Sequence, residues 1–178
     1  MVKKKILIII GSASKNSSNL RLMENFIALT GDGFECRIMD SLTSLPHFDP
    51  ELAVDHTPKS ISTIRALIED SDGVIICTPE YIFSIPSGLK NLLEWCVSTT
   101  VFSDKPIGII TASAQGEKGH EELQLIMRIL MAKFHPENTW LIQGIKGKIN
   151  AEGEIIDDQI RMALADFINN YDILLAEN

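Results

Sequence analysis

A short polar segment after an apolar run is the part of this sequence best suited to binding an anion. It reads GSASKNSSNL and carries neutral hydrogen-bonding side chains at Ser12, Ser14, Ser17, Ser18 and Asn19. An amphipathic helical pattern follows, and the first N–H groups of a helix lack backbone acceptors and attract negative charge. The segment therefore suits a phosphate group without a metal ion. The alternative is that Ser17 or Ser18 only caps the helix.

The positions of the glycines indicate which kind of phosphate compound this segment could bind. The GxxxxGK[ST] pattern of nucleoside triphosphate-binding loops is absent, and so are the glycines of a dinucleotide fingerprint. Gly11 permits a tight backbone turn after the apolar run. The segment is thus predicted to bind the single terminal phosphate of a mononucleotide.

Two further segments have compositions suited to a flat ligand. The first, TPEYIFSIPSG (78–88), contains two prolines that stiffen the backbone, whose polar groups would suit the edge of a planar heterocycle, with Tyr81 and Phe83 near its rings. The alternative is that these aromatic residues belong to the core or to a dimer interface. The second, TASAQGEKGH (111–120), has small residues that allow close backbone approach. By itself it indicates only a turn.

The elements that must position these segments alternate along the chain. Apolar runs predict strands at 6–10, 34–40, 74–78, 106–111 and 139–144. Helical patterns lie between and after them, at 18–30, 57–70, 87–97, 117–133 and 157–177. This alternation predicts an α/β, flavodoxin-like three-layer sandwich in which a five-stranded parallel sheet of order 2-1-3-4-5 has helices on both faces. A single domain is expected over residues 1–178.

That fold selects the same three segments independently. In open parallel sheets, ligands bind beyond the carboxyl ends of the strands, where the winding direction switches. The loops after strands one, three and four meet there, and these are the three segments described above. Helix starts are predicted at Thr57, with Pro58 as the first helical residue, and at Asp157. The residues KINAEGEIID before the last helix predict a polar excursion or a small hairpin, and Trp95 is predicted to belong to the core or to a dimer interface.

Composition excludes several classes of function. The net charge of -8 argues against a nucleic-acid-binding surface. No apolar run approaches the roughly 18 residues of a membrane span, and the five-residue run after Lys3–Lys5 is too short for a secretory signal. The four histidines and three cysteines lack metal-site spacing, and Cys77 and Cys96 are predicted to be buried, reduced thiols. A cytoplasmic protein without a metal site is expected.

Three motifs in these segments resemble those of the NADPH-dependent FMN reductase family, which includes flavin-bound quinone, azo and chromate reductases. They are GSxxxxSxN after the first strand, PEYxxSIPxxLKNxLEW after the third, and GEIID before the last helix. The resemblance covers essentially the whole chain. It implies that the FMN phosphate is held by Ser12, Ser14, Ser17, Ser18 and Asn19. It also implies that the isoalloxazine ring is lined, mainly through backbone groups, by Pro79, Glu80, Tyr81 and Ile82, with Ser113 nearby.

The activity implied by the resemblance is an FMN-dependent NAD(P)H oxidoreductase. It would pass hydride from NADPH or NADH through bound FMN to quinones, other oxidised acceptors or free flavin. This chemistry belongs to the cofactor, so no catalytic side chain is assigned. The resemblance further implies a homodimer or homotetramer with the flavin near the interface.

Two alternatives come from other classes of protein. A flavodoxin-like electron carrier would bind FMN without NAD(P)H turnover, but such carriers enclose the flavin between aromatic residues of two loops. Residues 111–120 contain none, which favours an open flavin face and an enzyme. A flavin-free receiver-type domain would need acidic residues after the first strand, where Gly11 and Ser12 stand instead.

Two positions depart from the family pattern. Ile82 stands where the family often has Asn directly after PEY, so an amide near the flavin is missing. The segment KGHEELQ (118–124) replaces a GGxRxQ-type sequence and places Glu121 where a basic side chain is common. These departures bear on the choice between NADPH and NADH and on the oligomer interface.

Overall fold

Strands and helices alternate throughout residues 3–177, the part of the chain that the computed structural model describes. Its strands are β1 (Lys4–Ile10), β2 (Phe34–Met39), β3 (Gly73–Thr78), β4 (Ile107–Ser113) and β5 (Thr139–Gln143). Its α-helices are α1 (Ser18–Thr30), α2 (Lys59–Asp70), α3 (Ser87–Cys96), α4 (Glu117–Ile129) and α5 (Asp158–Ala176). Neighbouring strands pair in parallel in the order β2-β1-β3-β4-β5. The predicted flavodoxin-like arrangement is therefore confirmed.

Both faces of the sheet are covered, which explains why β1 is apolar at consecutive positions. Ile6, Ile8 and Ile10 pack with residues of α1 and α5, whereas Leu7 and Ile9 pack with residues of α2, α3 and α4. All five side chains are buried. Each contributes about 1.5–3 kcal/mol of burial free energy. A shift of one residue would exchange the two sets of side chains, so the register of β1 is strongly specified.

The interior face of α3 also agrees with the prediction. An apolar stripe packs into the core beneath the sheet and consists of Leu89, Leu92, Leu93 and Cys96. Trp95 is fully buried beside it, its ring edge-to-face with Phe48 at 5.3 Å between centroids. Its indole Nε1 donates to the carbonyl oxygen of Pro46 at 2.9 Å. Trp95 is thus a core residue that anchors the loop between β2 and α2.

The start of α2 differs from the prediction. The helix begins at Lys59, Pro58 precedes it with an extended ψ of 142°, and no side chain caps it. The Thr57 hydroxyl instead donates to the Ala53 carbonyl oxygen at 3.1 Å. The predicted Thr57 cap is therefore wrong, because a tertiary contact of the preceding loop takes up this hydroxyl.

The end of α4 also differs, because the chain there joins the sheet. The helix ends at Ile129 rather than Lys133, and Met131 has a left-handed φ of 61°. The Lys133 N–H donates to the Lys105 carbonyl, and the Lys133 carbonyl accepts from the Ile107 N–H, each at 2.9 Å. Backbone pairing at the foot of β4 thus ends the helix one turn early.

The segment before α5 matches its prediction. Ile149 and Ile155 form an antiparallel bridge, as expected for a small hairpin. The Asp157 carboxylate accepts from the N–H groups of Gln159 and Ile160 at 2.9 and 3.1 Å, so it caps α5. This hairpin packs against α1, where Asn25 Nδ2 donates to the Gly153 carbonyl oxygen.

Cys77 and Cys96 behave as predicted. All three thiols are free, and Cys77 and Cys96 are buried. Burial raises the pKa of the Cys96 thiol to about 12 and that of the Cys77 thiol further, so both stay protonated at neutral pH. No helix within residues 3–177 is long and apolar enough to cross a membrane.

Candidate functional site

A cavity of about 620 Å³ lies at the carboxyl ends of the strands. Loops that follow four strands contribute to its walls. The lining residues of the loop after β1 are Ser12, Ser14, Asn16, Ser17, Ser18 and Asn19. Those after β3 and β4 are Pro79, Glu80, Tyr81, Ala112, Ser113 and Ala114, and those after β5 are Gly144, Ile145, Lys146 and Gly147. Nine of the ten predicted cofactor-binding residues thus meet at one cavity, and Ile82 lies outside its lining.

The loop after β1 combines a helix cap with free backbone donors. The Ser17 hydroxyl accepts from the Leu20 N–H at 3.1 Å, so Ser17 caps α1. Ser18 and Asn19 are the first two residues of α1, where N–H groups have no acceptor within the helix. Both residues line the cavity. Capping and anion binding are therefore compatible here, because they use different donors of the same helix start.

The Asn19 side chain links the first loop to two strands of the sheet. It is buried, and its Nδ2 donates to the Ala112 carbonyl oxygen at 3.1 Å. Its Oδ1 accepts from the Cys77 thiol at 3.3 Å. The side chain thus joins the first loop to β3 and β4, and the backbone N–H of Asn19 lies in the first turn of α1, where it has no acceptor within the helix.

Gly11 is required by close packing at the start of this loop. A Cβ atom at Gly11 would lie 2.3 Å from Thr78 Oγ1 and 2.7 Å from Thr78 Cβ. Thr78 is fully buried at the end of β3, and the Gly11 N–H donates to the Cys77 carbonyl at 2.9 Å. The first and second loops therefore leave the sheet in direct contact, with no room for a side chain between them.

The loop after β3 makes a tight turn with strained backbone. Tyr81 and Ser84 exchange backbone hydrogen bonds of 2.9 and 3.1 Å, and the two residues between them, Ile82 and Phe83, have φ of 51° and 57°. Positive φ at both central positions is the type I′ pattern, which favours Asn and Gly. Ile82 and Phe83 are 95% and 69% exposed. The turn therefore presents two large apolar side chains to solvent at a cost in backbone energy.

Hydrogen bonds to a carboxylate on α4 hold this turn in place. The Glu122 carboxylate accepts from the Ser84 hydroxyl at 2.6 Å and from the Ile85 N–H at 3.1 Å. Lys90 on α3 pairs with the same carboxylate at 3.0 Å. Although desolvation opposes it, these hydrogen bonds hold the pKa of Glu122 below its usual value. The strained turn is thus fixed by an ionised carboxylate.

Relief of the strain at Ile82 is expected to stabilise the protein. An Ile82→Asn variant should raise the free energy of unfolding by about 1 kcal/mol, because Asn tolerates left-handed backbone far better than a β-branched residue. Urea unfolding would measure the change. Val54→Asn is the matched control, since Val54 is also an exposed β-branched loop residue but has no positive φ. Equal changes in the free energy of unfolding for the two substitutions would contradict backbone strain at Ile82.

Glu80 joins the second and third loops. Its carboxylate accepts from the N–H groups of Gly119 at 2.9 Å and Gly116 at 3.3 Å, at the start of α4. Its own N–H donates to the Ser113 hydroxyl at 3.2 Å. The N-cap residue of α4 is Gly116, which has a φ of 97° and no side chain that could cap the helix. Glu80 therefore serves as the anion at this helix N-terminus, with its carboxylate bonded to protein rather than free in the cavity.

Tyr81 completes the contact between the first and second loops. Its hydroxyl lies 3.3 Å from the Ser12 Oγ, and Ser12 Oγ also accepts from the Ser14 N–H at 3.2 Å. The tyrosine is half-exposed at the cavity rim. Its ring is thus placed beside the cavity by this contact with the first loop.

Among residues 3–177 no group of three or more His, Cys, Asp or Glu side chains is placed to hold a metal ion. His120 lies 2.9 Å from the Thr111 hydroxyl through Nδ1, and burial lowers its pKa. It packs against β4 as a neutral residue.

The part of the cavity wall that follows β5 was not predicted from the sequence. The strand-order rule marks the switch point, and β5 lies two strands away from it. The signal in the sequence was a glycine-bearing turn with a lysine, GIKG, directly after the last strand. The Gly144 N–H donates to the Ser113 carbonyl oxygen at 2.8 Å, which holds this turn against the third loop.

Comparison with known proteins agrees with this geometry. Residues 4–147 match the model of the family described as NADPH-dependent FMN reductase. The chain is 30% identical to the NADH:(hydroxy)cinnamate reductase subunit CrdA of Vibrio ruber, over 96% of this chain and 86% of that protein. It is 26% identical to a quinone reductase of Escherichia coli, over 87% of this chain and 86% of the relative.

A solved structure supports the fold. FerB, a flavoenzyme NAD(P)H:(acceptor) oxidoreductase from Paracoccus denitrificans, superposes with a TM-score of 0.82 at 24% identity, with 98% of each chain covered. The family match spans most of the sequence and includes the loops after β1, β3, β4 and β5. The chain therefore belongs to the NADPH-dependent FMN reductase family, which confirms the predicted class of enzyme, an FMN-dependent NAD(P)H oxidoreductase.

Proposed function

We propose that the chain transfers hydride from NADPH or NADH to quinones or related oxidised acceptors, with FMN held in the cavity at the carboxyl ends of the strands. One observation carries the proposal: the anion-binding start of α1 and the rigid second loop line the same cavity. A mononucleotide needs both, an anion site for its phosphate and a fixed edge for its ring. The volume of about 620 Å³ lies within the usual range for a cofactor of this size.

The residues of the cavity divide into two groups by the chemistry they offer. Hydroxyl and backbone N–H donors suit the phosphate and are provided by Ser12, Ser14, Ser17, Ser18 and Asn19. A stiff backbone suits the ring and is provided by Pro79, Glu80, Tyr81 and Ser113 of the lining, and by Ile82, which follows Tyr81 outside the lining. Of the second group, Ile82 would contribute through its backbone, since its side chain is 95% exposed.

The protein's part in the reaction would be positioning. FMN, when bound, supplies the hydride-transfer chemistry. The cavity offers a rigid cradle, because Glu80, Asn19 and Tyr81 each bond across from one loop to another. The third loop contributes Ala112, Ser113 and Ala114, which leave space for a nicotinamide or an acceptor above the ring. That open side favours an enzyme over an electron carrier, which would cover both faces with aromatic residues.

Anaerobic reduction tests this proposal. The protein is reconstituted with FMN, freed of unbound flavin, and titrated without oxygen first with NADPH and then, in a second sample, with NADH. Either nucleotide should bleach the visible absorption of bound flavin, and added quinone should restore it. Bound flavin that neither nucleotide bleaches would identify an electron carrier. Failure to retain any flavin would leave the first loop as an ordinary helix cap and refute the proposal.

We also propose a homodimer or homotetramer that buries the exposed turn near the cavity. Leu125 and Ile129 lie four residues apart on α4 and are exposed, and Glu122 on the same helix holds the turn with Ile82 and Phe83. These apolar side chains therefore face one side of the molecule, as at many subunit interfaces. Gel filtration with light scattering that gave only monomer at micromolar concentration would refute the assembly.

The remaining assignments are the domain and the compartment. Residues 1–178 are proposed to form one FMN-binding domain, because a single sheet organises both helical layers. A cytoplasmic location is proposed from the net charge of -8 and from three cysteines that form no disulfide. Cell fractionation that found the chain outside the cytosol would contradict it.

A further inference from the structure

We infer that Lys146, on the turn after β5, binds the phosphate group of FMN. It would add a positive charge to a phosphate site whose side chains in the first loop are all neutral. The inference rests on the proposed FMN site and adds to it a residue from a wall that the three sequence motifs do not include. Lys146 lines the same cavity as Ser12, Ser14 and Ser18, and its residue is exposed.

The backbone of the turn is fixed on the side of the third loop. Gly144 has a left-handed φ of 66°, and its N–H donates to the Ser113 carbonyl oxygen at 2.8 Å. The next residue, Ile145, is buried in the core that α1 and α5 share. The backbone before Lys146 is thus held in place, and the exposed side chain of Lys146 can change its conformation.

The chain beyond the turn is fixed against α1. Asn25 Nδ2 donates to the Gly153 carbonyl oxygen at 2.8 Å. Gly153 also packs so closely on Arg21 that a Cβ there would lie 2.9 Å from Arg21 Cδ. The segment that carries Lys146 is therefore held between the third loop and the first turns of α1, the helix whose start forms the anion site.

Charge balance in the cavity points to the same assignment. Among the described lining residues only Glu80 and Lys146 carry a charge, and the Glu80 carboxylate is bonded to the N–H groups of Gly116 and Gly119. A phosphate monoester carries about −1.5 to −2 at neutral pH. A helix N-terminus supplies roughly half a positive charge. Serine and asparagine donors add none, so the cradle of the first loop leaves most of the phosphate charge uncompensated.

Lys146 is available to provide that charge. No ion pair or hydrogen bond of its ammonium group occurs within residues 3–177. The nearby Lys148, in contrast, is paired with Asp157 at 2.9 Å. Arg21 on α1 is paired with Glu24 at 2.9 Å. Lys15 lies in the first loop but outside the cavity lining, which makes it a matched control of the same residue type.

The test compares FMN with riboflavin, which lacks the phosphate. Dissociation constants of both flavins are measured by fluorescence for the wild-type chain, Lys146→Met, Lys146→Arg and Lys15→Met, with thermal unfolding to verify the fold. Lys146→Met should weaken FMN binding about 10-fold, as expected for loss of one charge-assisted contact, and leave riboflavin binding unchanged. Lys146→Arg should retain most of the FMN affinity, and Lys15→Met should retain all of it.

Several outcomes would overturn the inference. Equal weakening of FMN and riboflavin would place Lys146 at the ring or ribityl chain, and an effect of Lys15→Met alone would move the cation to the first loop. Unchanged FMN affinity with a raised KM for NADPH would assign Lys146 to the nicotinamide nucleotide. If the wild-type chain binds FMN and only the Lys146 effect is absent, the inference fails and the proposed function stands. If the wild-type chain binds no FMN, both fail.

Discussion

Replacing Gly11 by alanine is expected to destabilise the protein by about 3 kcal/mol, because the new methyl group overlaps a buried side chain. Its Cβ would lie 2.3 Å from Thr78 Oγ1 and 2.7 Å from Thr78 Cβ, both closer than packed atoms tolerate. The first loop begins at Gly11, so the movement that relieves the clash should also weaken FMN binding. The midpoint temperature of thermal unfolding should fall by roughly 6–12 °C in a chain of this length.

Two further variants isolate the cause of the loss. Gly88→Ala is the matched control, because a Cβ there finds its nearest neighbour at 3.4 Å, an ordinary contact, inside α3. It should leave the free energy of unfolding unchanged or raise it by up to about 1 kcal/mol. In a Thr78→Gly background, Gly11→Ala should cost clearly less than in the wild-type chain. A cost that stayed the same in both backgrounds would show that Thr78 is not the obstacle.

Glu80→Gln is expected to separate FMN binding from turnover. The substitution removes the negative charge that α4 receives at Gly116 and Gly119, which should cost about 1–2 kcal/mol of stability. Because Glu80 joins the second and third loops, FMN affinity should fall roughly tenfold. The value of kcat at saturating FMN should change by less than about threefold, since a general acid or base would contribute at least about 100-fold.

The matched control is Glu121→Gln, which removes a carboxylate from the exposed face of the same helix. Glu121 pairs with Lys118 at 2.8 Å, and both side chains are more than half exposed. Exposed pairs of this kind contribute little, so stability should change by less than about 0.5 kcal/mol. If Glu80→Gln abolished turnover while FMN stayed fully bound, Glu80 would be a catalytic residue after all.

The fold followed from local patterns in the sequence. A continuous apolar run such as Ile6–Ile10 has to be covered on both faces, and its alternation with helical segments leaves little choice but a parallel sheet. The carboxyl-end rule then predicts that the loops after strands one, three and four lie together. The Ser17 cap and the Asp157 cap are short-range interactions and were recognisable for the same reason.

Other features depend on partners far away along the chain. The helix α4 ends early because Lys133 pairs with Lys105 and Ile107, more than twenty residues before it. The Asn19 side chain resembles a free donor in the sequence, yet Ala112 and Cys77, both remote in sequence, take up its amide. The end of α4 and the role of the Asn19 side chain are therefore not encoded in the residues next to them.

By itself, the sequence determined the sheet order, the family and three of the loops that line the cavity, because apolar periodicity, helix starts and motif spacing act over a few residues. The tertiary structure alone decided that Glu80 caps α4, that Ile82 occupies left-handed backbone, and that Lys146 faces the cavity. Each of these depends on which loops the folded sheet brings into contact. Hydrogen bonds and charges act across space, so their partners become defined only when the strands have assembled.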